Sequence, residues 1–142
     1  MVLSTSSVIA TRCFGAQVAA QASSGDVYGL DGDLGTGKTE FVRGFVGEID
    51  DTITVRSPSF SIVNIYSTIR FPVFHFDFYR LGDAEELIEI GFDEYLNGEG
   101  VCLVEWAGMF PSVLPAHTRF LRFTDTGITD RTVEFDFELN QR

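Results

Sequence analysis

The sequence is poor in basic residues and in cysteine. Only 10 lysine and arginine residues stand against 21 acidic ones among 142 positions, which gives a formal net charge of −11. Because such a chain repels phosphate backbones, we expect no non-specific binding of nucleic acid, and we expect any polyanion to be met through a partner. The two cysteines, Cys13 and Cys102, lie far apart, and no Cys/His spacing predicts a metal site.

The sequence also has no apolar stretch near the roughly 20 residues that a membrane span needs. Residues 1–7 lack the charged start and the apolar run of a secretory signal. We therefore expect a cytoplasmic protein without membrane contact. The length predicts a single domain over residues 1–142, and the 14 Phe residues predict a core rich in aromatic rings.

One stretch fits the pattern G-x-x-x-x-G-K-[ST] of loops that wrap nucleotide phosphates. It consists of Gly32, Asp33, Leu34, Gly35, Thr36, Gly37, Lys38 and Thr39. The glycines let the backbone turn so that successive N–H groups face an anion, Lys38 adds a positive charge for the phosphates, and the Thr39 hydroxyl is placed to ligate Mg²⁺. A glycine-rich turn that binds nothing would not need Lys followed by Thr.

The surroundings of this loop predict a strand before it and a helix after it. Residues 27–30 favour a short strand, and apolar spacing predicts a helix that follows the loop and ends near Gly47. Another helix, from about Val8 to Ala22, is predicted with Ser7 as its N-cap. We expect strands at residues 53–55 and 60–66, with the break at Arg56-Ser57-Pro58-Ser59 between them.

Residues 71–80 predict a strand in which alternation puts three phenylalanines on one, core-facing side. The other side collects His75, Asp77 and Tyr79, which are costly to bury unless they bond to one another or to a ligand. The spacing alone leaves both possibilities open. Asp77 is the candidate for function, while His75, Tyr79 and Arg80 have structural hydrogen bonds or a surface pair as alternatives.

Residues 101–104 form an apolar run that ends in Glu105 and Trp106, as in a central parallel strand. In enzymes with a phosphate-binding loop, an apolar strand ending in a carboxylate supplies the second magnesium-binding element. An acid at this point can also be the first surface residue of the strand. Together with the loop, Glu105 is a candidate functional residue.

The remaining segments predict two short helices, at 83–89 with Asp83 as N-cap and at 92–96, and a C-terminal hairpin with one wet face, at 119–124 and 132–139. The expected fold is an α/β, P-loop NTPase-like domain. Its central sheet is mostly parallel and flanked by helices, with antiparallel strands at the C-terminal end.

In their order and spacing, these segments resemble the bacterial TsaE (YjeE) family from about Phe14 to Leu114. The motifs are G-D-L-G-T-G-K-T, S-P-S-F, H-F-D-F-Y-R-L, A-E-E-L and L-V-E-W. The resemblance implies a Mg²⁺-dependent ATPase, weak alone, that supports threonylcarbamoylation of adenosine 37 in tRNAs reading ANN codons. It implies action with the TsaB–TsaD complex, without transfer of the group by this chain itself and with tRNA met only through the partners.

The resemblance also implies site residues. The loop 32–39 and Glu40 hold ATP, with Lys38 also catalytic and Trp106 near the nucleotide. Asp77 and Glu105 are the acids around the metal and the attacking water, with Thr39 on Mg²⁺; which acid has which role stays open. Ser57 and Ser59 resemble a switch loop, although the family usually has S-P-T where this chain has S-P-S.

Two other functions fit the loop. A nucleotide-gated binding module would bind ATP to set its affinity for a partner, with little hydrolysis. A small-molecule kinase should have an arginine-rich lid, and we find no such segment in the sequence. No arginine is obviously placed to complete the site, so we expect slow hydrolysis by the isolated chain.

Overall fold

The computed structural model describes residues 1–33, 35–58, 61–128 and 130–139. Its strands are β1 Val2–Thr5, β2 Val27–Asp31, β3 Val63–Ser67, β4 Pro72–Asp77, β5 Val101–Glu105, β6 Arg119–Asp125 and β7 Arg131–Phe135. Its α-helices are α1 Val8–Gln21, α2 Lys38–Ile49, α3 Glu85–Glu89 and α4 Phe92–Asn97, and two short 3₁₀ turns follow β5.

The strands form one mixed sheet in the order β1-β7-β6-β2-β5-β4-β3. The four central strands, β6, β2, β5 and β4, run parallel, whereas β3 at one edge and β7 and β1 at the other pair antiparallel. The expected α/β fold with a mostly parallel centre and a C-terminal hairpin is therefore confirmed. The carboxyl ends of β2, β4 and β5 meet at one end of the sheet, where ligands bind in open α/β folds.

Helices cover both faces of the sheet, and β5 shows why its sequence is apolar throughout. Val101 and Leu103 join the core under α1 and α2, while Cys102 and Val104 join the core under α3 and α4. A strand buried on both sides reads as a continuous apolar run rather than an alternating one. The core is rich in rings, as expected from the phenylalanine content.

The first helix begins where predicted. The Ser7 hydroxyl accepts a hydrogen bond from the Ala10 N–H at 3.0 Å, which satisfies one of the unpaired donors of the helix start. In the hairpin β6–β7 the apolar side chains of alternate residues are buried, and Arg122 and Glu134 are exposed. The predicted wet face is thus confirmed.

Several predicted boundaries are wrong. Residues 53–55 form no strand; at the next residue, the backbone N–H and C=O of Arg56 bond to side chains of β3 rather than to a neighbouring strand. The strand predicted at 60–66 begins at Val63, after Ile62 with φ 66°, and Phe60 lies outside the described residues.

Three further elements are shorter than predicted. The strand expected at 71–80 ends at Asp77, and both of its faces are buried rather than one. Helix α3 begins at Glu85, since the Asp83 carboxylate accepts from the Glu85 N–H in a turn before the helix. Strand β7 ends at Phe135 instead of residue 139.

Candidate functional site

The glycine-rich loop joins β2 to α2 in a conformation that needs glycine. Gly32, Gly35 and Gly37 have φ of 142°, 82° and 105°, in the left-handed region. A Cβ on Gly32 would also lie 2.5 Å from the carbonyl oxygen of Phe123. The Thr36 hydroxyl donates to the carbonyl of Asp33 at 2.6 Å and fixes the turn. Leu34 lies outside the described residues.

Lys38 is the only lysine in the sequence, and its side chain is buried, with 4% exposed. Its ammonium group donates to the carbonyl of Gly32 and lies 3.5 Å from the centre of the Trp106 ring. Burial lowers the pKa of Lys38, and the charges of Glu105, Asp77, Asp31 and Asp33 oppose this shift. A buried cation held by a carbonyl and a ring is an attractive site for an anion, which would compensate the lost hydration.

The two candidate carboxylates lie side by side, because Asp77 ends β4 and Glu105 ends β5 in paired register. The Thr39 hydroxyl, in the first turn of α2, lies 3.3 and 3.4 Å from the two carboxylate oxygens of Glu105. Lys38, Thr39, Asp77 and Glu105 all border one cleft of about 490 Å³. The structure therefore brings together the loop and the strand-end acids that the sequence singled out.

Asp77 carries an unfavourable charge in this position. Burial raises its pKa, and the neighbouring Glu105 raises it further, whereas the Tyr79 backbone N–H, His75 and Lys38 oppose the shift. The Tyr79 N–H donates to the Asp77 carboxylate at 2.9 Å. Two adjacent carboxylates with little solvent favour a bound cation between or beside them.

His75 lies beneath the acids and contacts Glu105 directly. Its Nε2 is 2.5 Å from Oε2 of Glu105, and its Nδ1 is 3.0 Å from the hydroxyl of Tyr66. The imidazole has no exposed surface. Of the polar residues predicted on this strand, His75 bonds to a carboxylate inside the protein, while Tyr79 is 61% exposed and Arg80 lines the cleft.

Trp106 and Tyr79 form an aromatic wall of the cleft. Trp106 follows β5 with a backbone φ of 59°, and its backbone N–H donates to the carbonyl of Leu30 at 2.8 Å. The centre of its ring lies 4.9 Å from the centre of the Tyr79 ring. The left-handed backbone turns the indole over Lys38 rather than along the strand. Such a strained non-glycine residue at a cleft is typical of functional sites.

Glu40, the other predicted nucleotide contact, forms ion pairs with two arginines. It pairs with Arg12 on α1 at 2.6 Å and with Arg43, one turn further along α2. Arg43 is not among the described residues that line the cleft. Ser57 borders the cleft from the segment before β3, and Ser59 lies outside the described residues.

The donor set fits a magnesium nucleotide better than a protein-only metal centre. The described residues contain no group of three or more His, Cys, Asp and Glu that could hold a metal. Mg²⁺, however, usually takes one or two carboxylates and keeps water and phosphate oxygens as its other ligands. Thr39, Glu105 and Asp77 supply that kind of incomplete set beside an amide loop and a buried lysine.

The chain matches a family model described as "Threonylcarbamoyl adenosine biosynthesis protein TsaE" over residues 5–133. The chain belongs to the TsaE family. The tRNA threonylcarbamoyladenosine biosynthesis protein TsaE of Bacillus subtilis is 40% identical over 125 residues, which are 88% of this chain and 78% of that protein. Its namesake in Rickettsia prowazekii is 37% identical over 108 residues, 73% of this chain and 72% of that protein.

A solved TsaE-like structure supports the same fold. The crystal structure of YdiB from Bacillus subtilis superposes with a TM-score of 0.79 at 34% identity, covering 95% of this chain and 83% of that one. In this TsaE chain, no helix among the described residues is long and apolar enough to cross a membrane.

Sequence reasoning missed Tyr66, which this TsaE chain uses to hold His75. Alternation along the predicted strand places Asn64 and Tyr66 on one face, and that pattern was the only available signal. It does not tell which side chain of a neighbouring strand the hydroxyl meets. The contact of Lys38 with Trp106 was likewise not predicted, although both residues were singled out.

Proposed function

We propose that the chain is a Mg²⁺-dependent ATPase that supports formation of N6-threonylcarbamoyladenosine at position 37 of tRNAs reading ANN codons. It acts with the TsaB–TsaD complex and does not itself transfer the threonylcarbamoyl group. The pathway follows from membership in the TsaE family and from the names of its relatives. The single observation that supports nucleotide hydrolysis is the meeting of Lys38, Thr39 and Glu105 in one cleft.

In this proposal the loop amides and Lys38 hold the phosphates. Lys38 has three N–H donors and no acceptor, so an anion competes directly with its present contact to the Gly32 carbonyl. The positive end of α2 adds to the attraction, since its first N–H groups face the loop. The indole of Trp106 lies over the ammonium group and forms one side of the cleft.

The two acids have different roles in this proposal because they have different neighbours. Glu105 contacts the Thr39 hydroxyl, so these two residues would hold the metal, and Asp77 would orient the attacking water. Asp77 suits this role because its raised pKa favours taking up a proton more than an exposed aspartate would. Bound Mg²⁺ supplies the positive charge that neutralises the phosphate oxygens during transfer.

The first test uses the uniqueness of Lys38. An amine-reactive reagent can label only this side chain and the α-amino group of Met1, and intact-mass and peptide analysis separates the two. We expect ATP with Mg²⁺ to protect Lys38 and to leave labelling of Met1 unchanged. Lys38→Ala should weaken nucleotide binding about 10- to 100-fold, the value of one hydrogen bond to a charged group.

The second part of the test measures phosphate release and tRNA modification. We expect slow release by the chain alone, a higher rate with TsaB–TsaD, and loss of threonylcarbamoylation in a reconstituted system that contains the Lys38→Ala variant. Equal rates with and without the partners would refute the partner dependence. Protection of Lys38 without any phosphate release would instead favour a nucleotide-gated binding module.

A further inference from the structure

A buried row of polar contacts connects the metal-site acid to the segment before β3. The Tyr66 hydroxyl donates to the carbonyl of Arg56 at 2.9 Å and accepts from the Arg56 N–H at 3.2 Å. The same hydroxyl lies 3.0 Å from Nδ1 of His75. On its other side, Nε2 of His75 lies 2.5 Å from Oε2 of Glu105, and the Glu105 carboxylate accepts from the Thr39 hydroxyl.

These groups depend on one another because water hardly reaches them. His75 is fully buried, Tyr66 is 6% exposed and Glu105 is 4% exposed. A buried polar group without a partner costs about 1 to 3 kcal/mol, and a charged one costs more. Loss of the imidazole would remove the shortest contact of the Glu105 carboxylate and leave it the longer one to the Thr39 hydroxyl.

The side chain of His75 is less flexible than that of Glu105. His75 lies inside β4, paired with Asn64 on one side and with Leu103 on the other. Glu105 is the last residue of β5, where it is paired with Leu30 and Asp77, and its side chain has more rotatable bonds than an imidazole. The rigid imidazole therefore selects the direction of the carboxylate and keeps it beside Thr39.

We propose that His75 is a positioning residue for Glu105, and that Tyr66 joins this pair to residues 56–58, which border the cleft at Ser57. This inference rests on the proposed function, since it assigns a purpose to the orientation of Glu105. Segment 56–58 and the carboxylate are then coupled: a change at one end of the row alters the hydrogen bonds available at the other.

The coupling can be measured without hydrolysis, because Trp106 is the only tryptophan and lies in the cleft. Its fluorescence is recorded during titration of the full chain with ADP, first in EDTA and then at increasing Mg²⁺. The variants are His75→Phe, which keeps a ring without nitrogen, His75→Gln, which keeps an N–H donor, and Tyr66→Phe, which removes only the hydroxyl.

A matched control is Tyr28→Phe. Tyr28 is as buried as His75, and its hydroxyl bonds to Asp26 and Arg119 near the start of β2, at the end of the sheet opposite the cleft. Both Tyr→Phe variants lose one buried hydroxyl and its hydrogen bonds. Only Tyr66→Phe touches the proposed row.

In EDTA we expect all variants to bind ADP within about twofold of the parent chain, since the loop and Lys38 are unchanged. The Mg²⁺ concentration for half-maximal effect should rise about tenfold in His75→Phe, the usual cost of losing a partner that orients a metal ligand. It should rise less in Tyr66→Phe and in His75→Gln, and not in Tyr28→Phe. Equal Mg²⁺ dependence in all five proteins would overturn the inference.

The two proposals fail in different ways. If the parent chain itself shows no Mg²⁺ effect on nucleotide binding, the proposed function fails, whatever the variants do. If the parent shows the effect and His75→Phe retains it, only the positioning role is refuted. If His75→Phe has lost its thermal transition, Tyr66→Phe, which removes only the hydroxyl that holds His75, takes its place in the comparison.

Trypsin cleavage tests the other end of the row. Arg56 and Arg70 are both exposed, so cleavage after each can be followed by mass spectrometry in the same digest. Tyr66→Phe should speed cleavage after Arg56 several-fold over cleavage after Arg70, because two backbone bonds of Arg56 are lost. Equal acceleration at both sites would indicate general destabilisation and would contradict the coupling.

Discussion

The ionised side chain of Asp77, a single residue of the cleft, lowers the stability of the folded chain. Its pKa is raised above the ordinary 3.8 by burial first and by Glu105 next, so the folded chain holds this proton more tightly than the unfolded chain does. Tighter binding of this proton adds to the free energy of unfolding. That contribution is complete below pH 3.8 and is lost as the pH rises through the raised pKa of Asp77. At neutral pH the ionised carboxylate therefore destabilises the free protein.

Replacement of Asp77 by asparagine should relieve this cost. Asparagine cannot ionise, and its amide oxygen can still accept from the Tyr79 N–H. We expect Asp77→Asn to be more stable at pH 7 in EDTA by about 1 kcal/mol, a usual gain at functional sites, and to lose most phosphate release. Thermal unfolding from pH 7 to pH 4 measures the difference, which should shrink as the pH falls.

An unchanged or lower stability of Asp77→Asn at pH 7 would contradict the pKa argument. Asp51→Asn is a suitable control, because Asp51 is exposed on a turn after α2 and should show no such gain.

Patterns within a few consecutive residues predicted the main residues of the candidate site, whereas contacts between neighbouring strands could not be predicted. The loop pattern identified Lys38 and Thr39, and the apolar run of β5 identified Glu105, because each signal lies within a few consecutive residues. The structure brings these residues together. The bond between Tyr66 and His75 joins two antiparallel strands whose register depends on the turn between them, and spacing along the chain does not encode it.

Among the elements, the packing of α1 on α2 depends on the absence of side chains. A Cβ on Gly15 would lie 2.2 Å from the carbonyl oxygen of Phe41, and one on Gly44 would lie 1.9 Å from that of Arg12. These neighbours are backbone atoms, which cannot rotate away. The two helices therefore approach each other closely at these two glycines.

We expect Gly44→Ala to destabilise the protein by about 3 kcal/mol, at the upper end of the cost of overpacking, because α1 must move. Gly47→Ala is a matched control on the same helix: a Cβ at Gly47 would have nothing within 4 Å, and alanine favours the helix by about 1 kcal/mol. Urea unfolding of both variants and the parent chain measures the effect. A Gly44→Ala variant as stable as Gly47→Ala would refute the close approach.

Helices and central strands could be predicted from the sequence more accurately than the segment that leads into the edge strand β3. Helix α1 has a serine cap and one apolar face, and β5 is apolar throughout, so both signals are complete within the segment. Residues 53–55 have strand-like composition, yet the backbone bonds of the next residue, Arg56, go to side chains of β3. Whether such a segment joins a sheet depends on contacts far along the chain.

The excess of negative charge over the whole molecule opposes direct binding of RNA. The stretch that includes α3 and α4 contains Asp83, Glu85, Glu86, Glu89, Asp93, Glu94 and Glu99, and residues 81–118 contain no lysine or arginine. The one lysine is buried in the cleft. Exposed arginines such as Arg56, Arg70 and Arg122 are outweighed by the 21 acidic residues of the chain, so the surface as a whole repels a polyanion.

We therefore expect the isolated chain not to retain tRNA in a filter-binding assay at micromolar protein, even at about 50 mM salt. Binding through phosphates would need exposed basic side chains that outweigh the neighbouring acids, and each neutralised phosphate would make affinity fall as salt rises. The same tRNA mixed with the chain and TsaB–TsaD should be retained, which shows that the RNA and the assay are competent. Salt-sensitive retention by the chain alone would mean that it contacts tRNA directly, and the partner-mediated arrangement would then be wrong.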